Sequence, residues 1–200
     1  MPKIVDHDER REQIVDATWR LIHRGGFEKA TMREIAAEAG FAHGALQRYF
    51  PNKESVLAAA FVRAHTRTND RARAELEAER GLSALRTLCL EIMPIDRDRA
   101  QESRVVVAFW DRAVQDPELW NAHRANALNW RRQMQTFLDQ ARADGEIGDG
   151  VVDEVVIDQI SSMNAGLQVM CLLMPDETTA ARQIAALDAI LDGLRASAAP

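Results

Sequence analysis

Residues 31–53 read TMREIAAEAGFAHGALQRYFPNK, the pattern of two short helices joined by a glycine turn. The hydroxyl of Thr31 can cap the first helix, and the side chain of Glu34 can bond back to the free amide of Thr31. Apolar residues then recur at helical spacing as far as Ala39, and Gly40 can adopt the left-handed conformation that ends a helix. The stretch therefore predicts a helix-turn-helix.

The second helix of this motif is expected from Ala42 to about Phe50. Leu46 and Phe50 stand four residues apart and share one side of such a helix. Gly44 allows close approach to a rigid partner. The polar side chains on the remaining faces are His43, Gln47 and Arg48. A polar helix face with a glycine suits the major groove of DNA.

The run from Ala30 to Leu57 resembles the DNA-binding segment of the TetR family of bacterial transcriptional repressors. The matching residues, in order, are Thr31, Arg33, Glu34, Ile35, Ala36, Ala39, Gly40, Gly44, Leu46, Tyr49, Phe50, Lys53 and Glu54. Three positions depart from the family pattern, namely Phe41, Ala42 and Gln47. The family usually has Tyr at the last of these, so we expect the Gln47 amide to read an adenine edge instead.

The motif and the resemblance together define the residues expected to contact DNA. They are Thr31, Arg33, His43, Gly44, Gln47, Arg48, Tyr49 and Lys53. His43 and Gln47 are expected at base edges, while Arg33 and Lys53 are expected at phosphates or bases. Lys53 starts a helix whose free amides also attract phosphate. For Tyr49, contact with the DNA backbone and packing on the first helix both remain open.

Charge is distributed unevenly along the chain. The first 67 residues contain 11 Lys or Arg against 9 Asp or Glu, whereas the remainder contains 14 against 22, although the net charge is -6. A basic head on an acidic body suits a protein that attracts phosphate only at its contact surface. We therefore expect a DNA-binding domain at 1–67 and an effector-binding and dimerisation domain at 68–200.

The periodicity of the chain predicts an all-α fold of about nine helices, with a three-helix helix-turn-helix head. A further helix should lead from Lys53 to about Glu79 and into the body, after an N-cap at Asn52. Five body helices are expected at 82–93, 104–115, 117–143, 153–174 and 176–195, the last capped by Asp176.

Wide apolar faces on the last two helices, at about 153–174 and 176–195, need a cover. The resemblance implies that they pair with their copies in a second subunit as a four-helix bundle. Such a homodimer would present two heads to half-sites about 34 to 36 Å apart. The partners expected are therefore a second copy and a double-stranded operator of near-palindromic sequence.

Aromatic and methionine side chains in the body are numerous enough to line a cavity, although most such residues pack a core. The candidate effector-binding residues are Met93, Phe109, Trp110, Trp130, Met134, Met163 and Met170. The segment 109–120 resembles repressors of the glycine-betaine synthesis branch, which respond to choline. Tryptophans suit a quaternary ammonium through cation-π attraction, and they suit an aromatic or fatty ligand equally. The sequence thus leaves the identity of the effector open. Binding of the effector is expected to release the protein from the operator.

Other classes of protein find little support in the sequence. Motifs for dinucleotide, phosphate-loop, serine-hydrolase and zinc-protease chemistry are lacking, so no enzyme activity is expected. No histidine has a second ligand at metal-site spacing, and neither a metal nor a cofactor is expected. The apolar runs at 56–62 and 105–110 are far shorter than the roughly 20 residues that cross a bilayer. With two cysteines in apolar helical patterns and no signal segment, we expect a cytoplasmic protein.

One alternative remains from the residues alone. An α-helical interaction module could bind another protein through its carboxyl-terminal apolar faces, with a helix-turn-helix that is only structural. DNA affinity distinguishes this alternative from a regulator.

Overall fold

The computed structural model describes residues 7–197, without the side chains of Phe27, His43, Ala74 and Ala196. Within that range the chain forms nine α-helices and one 3₁₀ turn, with no strand. The helices are α1 (His7–Gly25), α2 (Met32–Ala39), α3 (His43–Leu46), α4 (Lys53–Leu76), α5 (Gly81–Ile92), α6 (Arg97–Ala113), α7 (Pro117–Ala143), α8 (Asp153–Leu173) and α9 (Ala180–Ala196). The predicted all-α class is confirmed.

The first of two compact units comprises the chain up to His65 together with Arg104–Arg124. Its core is formed where the apolar faces of α1 to α4 meet the second half of α6. Fully buried members are Ile14, Ile35, Leu46, Phe61 and Phe109. The rings of Phe61 and Phe109 stack with centroids 3.7 Å apart. Both helices of the helix-turn-helix, α2 and α3, contribute buried side chains to this core.

The second unit comprises Thr66–Ser103 and the chain from Ala125 onward. Its core is formed by apolar stripes of α5, α7, α8 and α9, and leucine is its commonest residue. Fully buried members are Leu82, Leu85, Leu88, Leu138, Leu187 and Leu191. Ion pairs join helices of this unit at the surface, as between Arg86 of α5 and Asp188 of α9 at 2.7 Å.

Two helix starts differ from the sequence prediction. α6 begins at Arg97 instead of residue 104, because the carboxylate of Asp96 accepts from the amide of Arg99 at 2.8 Å and caps the helix early. The predicted cap at Asp176 is wrong, since the hydroxyl of Thr179 accepts from the Arg182 amide and α9 starts at Ala180. At α9, two polar residues three positions apart, Asp176 and Thr179, compete for the cap, and the chain path decides between them.

Candidate functional site

Helix α2 begins with the reciprocal cap that the sequence predicts. The Glu34 amide donates to the Thr31 hydroxyl at 3.3 Å, and the Thr31 amide donates to the Glu34 carboxylate at 3.3 Å. Hydrogen bonds from the Thr31 side chain and backbone hold the pKa of Glu34 below its usual range. Gly40 ends the helix at φ 75°, in the left-handed region. Both ends of α2 are thereby defined by the local sequence.

Helix α3 is shorter than predicted. Regular α-helix covers only His43–Leu46, whereas the sequence predicted a helix from Ala42 to about Phe50. Its N-cap residue, Ala42, makes no side-chain cap bond. Beyond Leu46 the amides of Arg48 and Tyr49 bond to carbonyls three residues back, which continues the chain as a tighter turn to Phe50. Pro51 cannot extend the helix further, since it lacks an amide hydrogen.

Buried side chains anchor this short segment. Leu46 and Phe50 are 0% and 1% exposed. Arg11 of α1 donates to the backbone carbonyl of Tyr49, and its guanidinium lies 4.2 Å from the centroid of the Phe50 ring. These contacts hold α3 against the core while its opposite face stays outward.

The outward face contains most of the residues predicted to contact DNA. Those exposed to solvent are Thr31, Arg33, Gly44, Gln47 and Arg48. Lys53 is partly buried at the start of α4, where the Asn52 side chain accepts from the Ser55 amide at 2.7 Å and forms the predicted cap. The side chain of His43 lies outside the described part of the structure. These positions therefore lie at the start of α2, on α3 and its following turn, and at the start of α4, all within the first unit.

Tyr49 is partly buried by aromatic neighbours. Its ring lies 5.7 Å from that of Phe41, edge to face, and 4.8 Å from that of His7 on α1. Arg10 covers the other ring of this pair, 5.4 Å from the centroid of Phe41. The departure from the family pattern at Phe41 therefore provides a packing partner for Tyr49.

Charges near the motif differ in their pairing. Glu38 on α2 accepts from Arg20 at 2.9 Å and from Arg24, both on α1. By contrast, no carboxylate of the described residues lies within 4.0 Å of the guanidinium of Arg33 or Arg48. A β-carbon placed on Gly44 would meet no atom within 4 Å. The motif therefore offers two cations and an open backbone surface to an external partner.

The seven candidate effector-binding residues are distributed over both units. Phe109 and Trp110 belong to the first unit, where Phe109 is buried beneath Phe61. The other five belong to the second unit, namely Met93, Trp130, Met134, Met163 and Met170. Within that unit, Met93 and Met134 are buried in the core and Trp130 and Met163 pack against it.

Met170 is 38% exposed and lines a groove of about 410 Å³ at the end of α8. The indole nitrogen of Trp130 donates to the side-chain oxygen of Asn69 at 2.8 Å. Trp130 is therefore fixed in orientation by a partner inside its own unit.

Several buried polar groups were not recognised from the sequence. Asn164, Gln168 and Gln183 are buried amides in the second unit, and His65 is 6% exposed in the first. Burial and the neighbouring His123 lower the pKa of His65 to about 3. Helical periodicity gave no signal for these residues, because polar side chains at core positions contradict the pattern on which it relies.

Neither a metal site nor a membrane span is found in the described range. Between residues 7 and 197 no group of His, Cys, Asp and Glu could hold a metal ion. No helix in that range is long and apolar enough to cross a membrane. Cys89 and Cys171 are buried thiols, and burial raises the pKa of Cys89 to about 12.

Comparison with known families assigns both parts of the chain. Residues 14–60 match the family described as "Bacterial regulatory proteins, tetR family". Residues 81–196 match the family described as "BetI-type transcriptional repressor, C-terminal". Both matches agree with the resemblances stated from the sequence.

Individual relatives agree with these families. The chain is 34% identical over 146 residues to the HTH-type transcriptional regulator PksA of Bacillus subtilis, covering 70% of this chain and 69% of PksA. It is 33% identical over 129 residues to the HTH-type transcriptional regulator BetI of Stenotrophomonas maltophilia, covering 63% and 65%. In fold it resembles a transcriptional regulator from Saccharomonospora viridis in complex with choline, with a TM-score of 0.82, 22% identity and coverage of 92% and 96%.

Proposed function

Because this chain belongs to the TetR family of transcriptional regulators and is a DNA-binding regulator, not an enzyme, we propose that α2 and α3 bind its operator. The contacts come from Thr31, Arg33, His43, Gly44, Gln47, Arg48, Tyr49 and Lys53. Gln47, the exposed residue that directly follows α3, reads a base edge, since its amide can bond to adenine. The α4 N-terminus and Lys53 hold a phosphate.

The observation that supports this function best is the pair of cations at Arg33 and Arg48, which have no described carboxylate within 4.0 Å, together with the open surface at Gly44. Elsewhere in the same unit the structure pairs cations, as in Arg63 with Asp16 at 3.3 Å. Arginines left without a carboxylate gain their partner only when a phosphate or a base edge approaches. The open surface permits that approach.

Dimerisation follows from the exposed faces of α8 and α9. Exposed residues on α8 recur at helical spacing at Val155, Gln159, Ser162, Gly166, Met170 and Leu173. On α9 the exposed face is formed by small residues at Ala185, Ala186, Ala189 and Gly193. Small residues let two helix pairs approach closely, as in a four-helix bundle of two copies. The 68–200 part thus binds the partner subunit, and we assign the effector to the same part of the chain.

A regulator of this kind represses transcription by occupying a near-palindromic operator with two heads. An effector that binds the second unit releases the operator when it favours a head spacing that the two half-sites do not fit. The protein acts in the cytoplasm, where the bacterial operator lies.

Fluorescence anisotropy with the DNA that flanks the gene tests the proposal. Replacing Arg33 with Ala should weaken binding about tenfold or more and make the salt dependence shallower by about one unit of slope. Arg73→Ala serves as a control, because Arg73 is exposed on α4 within the second unit and lies 3.9 Å from Asp70. Equal affinity of the Arg33→Ala variant and the parent would remove Arg33 from the proposed contacts. Binding of the parent to this DNA no tighter than to an unrelated duplex would favour the helical interaction module.

A second experiment addresses the pairing face. Gly166→Leu introduces a large side chain at an exposed position of α8 where the glycine has open space around it. Light scattering coupled to size-exclusion chromatography should then detect a monomer in place of a dimer. A dimer that persists unchanged would argue against this face.

A further inference from the structure

Three amide side chains of the second unit are buried with an oxygen that accepts no hydrogen bond from any described residue. They are Asn164, Gln168 and Gln183, which are 6%, 9% and 2% exposed. Asn164 and Gln168 lie one turn apart on α8 and therefore share a face. A buried acceptor that has lost water without gaining another partner is unfavourable. Three in one unit call for an explanation.

The nitrogens of two of these amides fix their orientation. Gln168 Nε2 donates to the carbonyl of Ile92 at 2.8 Å. Gln183 Nε2 donates to the carbonyls of Pro94 at 3.1 Å and Thr178 at 2.9 Å. Turning either amide over would set its oxygen against a carbonyl oxygen. Both oxygens are thus held as acceptors next to the segment 92–94, which contains the fully buried Met93.

The groove of about 410 Å³ lies at the same end of α8. Its lining residues are Leu167, Met170, Met174, Glu177, Thr178, Arg182 and Gln183. Gln183 therefore belongs both to the groove and to the set of buried acceptors, and Leu167 precedes Gln168 in α8. A volume of this size is typical of small-molecule sites, which span about 300 to 1,000 Å³.

The charges at the groove balance one another. Glu177 and Arg182 form an ion pair at 2.6 Å. The remaining lining is thioether, aliphatic, hydroxyl and amide, which presents no net charge to a ligand. Apolar walls with acceptor oxygens suit an apolar molecule that has a hydrogen to donate.

We propose that the groove binds the effector through Gln183, the buried amide that lines it, and that the effector is an uncharged, largely apolar molecule with a hydroxyl or N–H donor. The inference rests on the proposed effector-released function and specifies its ligand class. Gln183 determines specificity by accepting the donated hydrogen at its unpartnered oxygen. Met170 belongs both to the groove and to the proposed pairing face, so that occupancy of the groove acts on the dimer interface.

The test uses alcohols and their methyl ethers as probes of the donor. Decanol, cyclohexanol and dimethylbutanol, the neutral carbon isostere of choline, are titrated calorimetrically into the full-length protein beside their ethers and beside choline. At least one alcohol should bind about tenfold more tightly than its ether, because the ether cannot donate. Dimethylbutanol should bind more tightly than choline. Equal binding of every alcohol and ether, no binding of any alcohol, or tighter binding of choline would overturn the proposal.

A variant tests the acceptor directly. Gln183→Met keeps the length of the side chain and removes the oxygen, so alcohol affinity should fall about tenfold. The melting temperature of the ligand-free variant is measured beside it, because the two bonds from Gln183 Nε2 are also lost. Asn164→Leu, at a buried amide that does not line the groove, is the matched control and should leave alcohol affinity unchanged. Unchanged alcohol affinity of Gln183→Met, or the same loss of affinity in Asn164→Leu, would overturn the assignment. Operator binding by the ligand-free parent protein is measured in parallel. If the parent does not bind the operator, the proposed function is wrong, whether or not the groove binds an alcohol.

Discussion

Two sets of arginines, one in each unit, differ in whether a carboxylate pairs with them. In the second unit, Arg71 pairs with Glu91 at 3.0 Å and with Glu102 at 3.1 Å, and Arg99 pairs with Glu91 as well. At the helix-turn-helix of the first unit, Arg33 and Arg48 have no carboxylate of the described residues within 4.0 Å. Internal acids therefore satisfy Arg71 and Arg99, whereas Arg33 and Arg48 need an external acid.

This difference explains how an acidic protein can bind DNA. A net charge of -6 disfavours phosphate on average, yet attraction at short range depends on the nearest groups. Pairing neutralises arginines such as Arg71 and Arg99, whereas Arg33 and Arg48 at the proposed contact surface have no described carboxylate within 4.0 Å. Local pairing is therefore more informative about the DNA-binding surface than the total charge.

The largest effect is expected from the residue that supports the exposed helix. Leu46→Ala should reduce the free energy of unfolding by about 2 to 5 kcal/mol, because it leaves a cavity beneath α3. Urea denaturation measures the change, and operator affinity should fall with it. Val114→Ala, at a position 83% exposed, is the control and should be close to neutral. A neutral Leu46→Ala would show that α3 does not depend on this core.

The paired arginines of the second unit provide the next test. Glu91→Gln removes the carboxylate shared by Arg71 and Arg99 and should cost about 1 to 3 kcal/mol, between the values for exposed and buried pairs. Stability is again followed by urea denaturation. Operator affinity per folded molecule should not change. A variant with parental stability would indicate that the pairs contribute no net free energy.

Acidification should affect the first unit through His65. Its folded pKa of about 3 lies below the unfolded value, so the unfolded chain takes up a proton between those values and the folded chain does not. Stability should fall as the pH drops below about 6.5, by roughly 1.4 kcal/mol per pH unit. Denaturation between about pH 6.5 and about pH 5, above the range in which most carboxylates titrate, measures the slope.

His65→Leu is the matched variant for this slope and should flatten it. A remainder is expected from His123, whose pKa is also lowered by burial. An identical pH dependence of the variant and the parent would assign the slope to other groups.

The smallest change in stability is expected at Gly44. Gly44→Ala adds a methyl group in open space within a helix and should raise stability by at most about 1 kcal/mol. The same methyl group should weaken operator binding, because it separates the α3 backbone from DNA. Thermal unfolding and anisotropy give the two values. If the variant bound the operator as tightly as the parent, the α3 backbone would not approach DNA closely at Gly44.

Local sequence was sufficient where a structure is stabilised by residues close together in the chain. The cap of α2, the turn at Gly40 and the cap at Asn52 were all predicted, since each bond joins residues only a few positions apart. The start of α9 was not predicted, because Asp176 and Thr179 are both competent caps. The contacts of Gln183 with Thr178 and Pro94 accompany the later start.

The sequence alone determined the all-α class, the helix-turn-helix and the family, because helical periodicity, caps and a spaced motif are properties of neighbouring residues. Only the tertiary structure decided which arginines are paired, which ring covers Tyr49 and which amides are buried without a described partner for their oxygen. Those features depend on residues far apart in the chain, such as Gln168 and Ile92. Their distances follow from packing, and no local pattern encodes them.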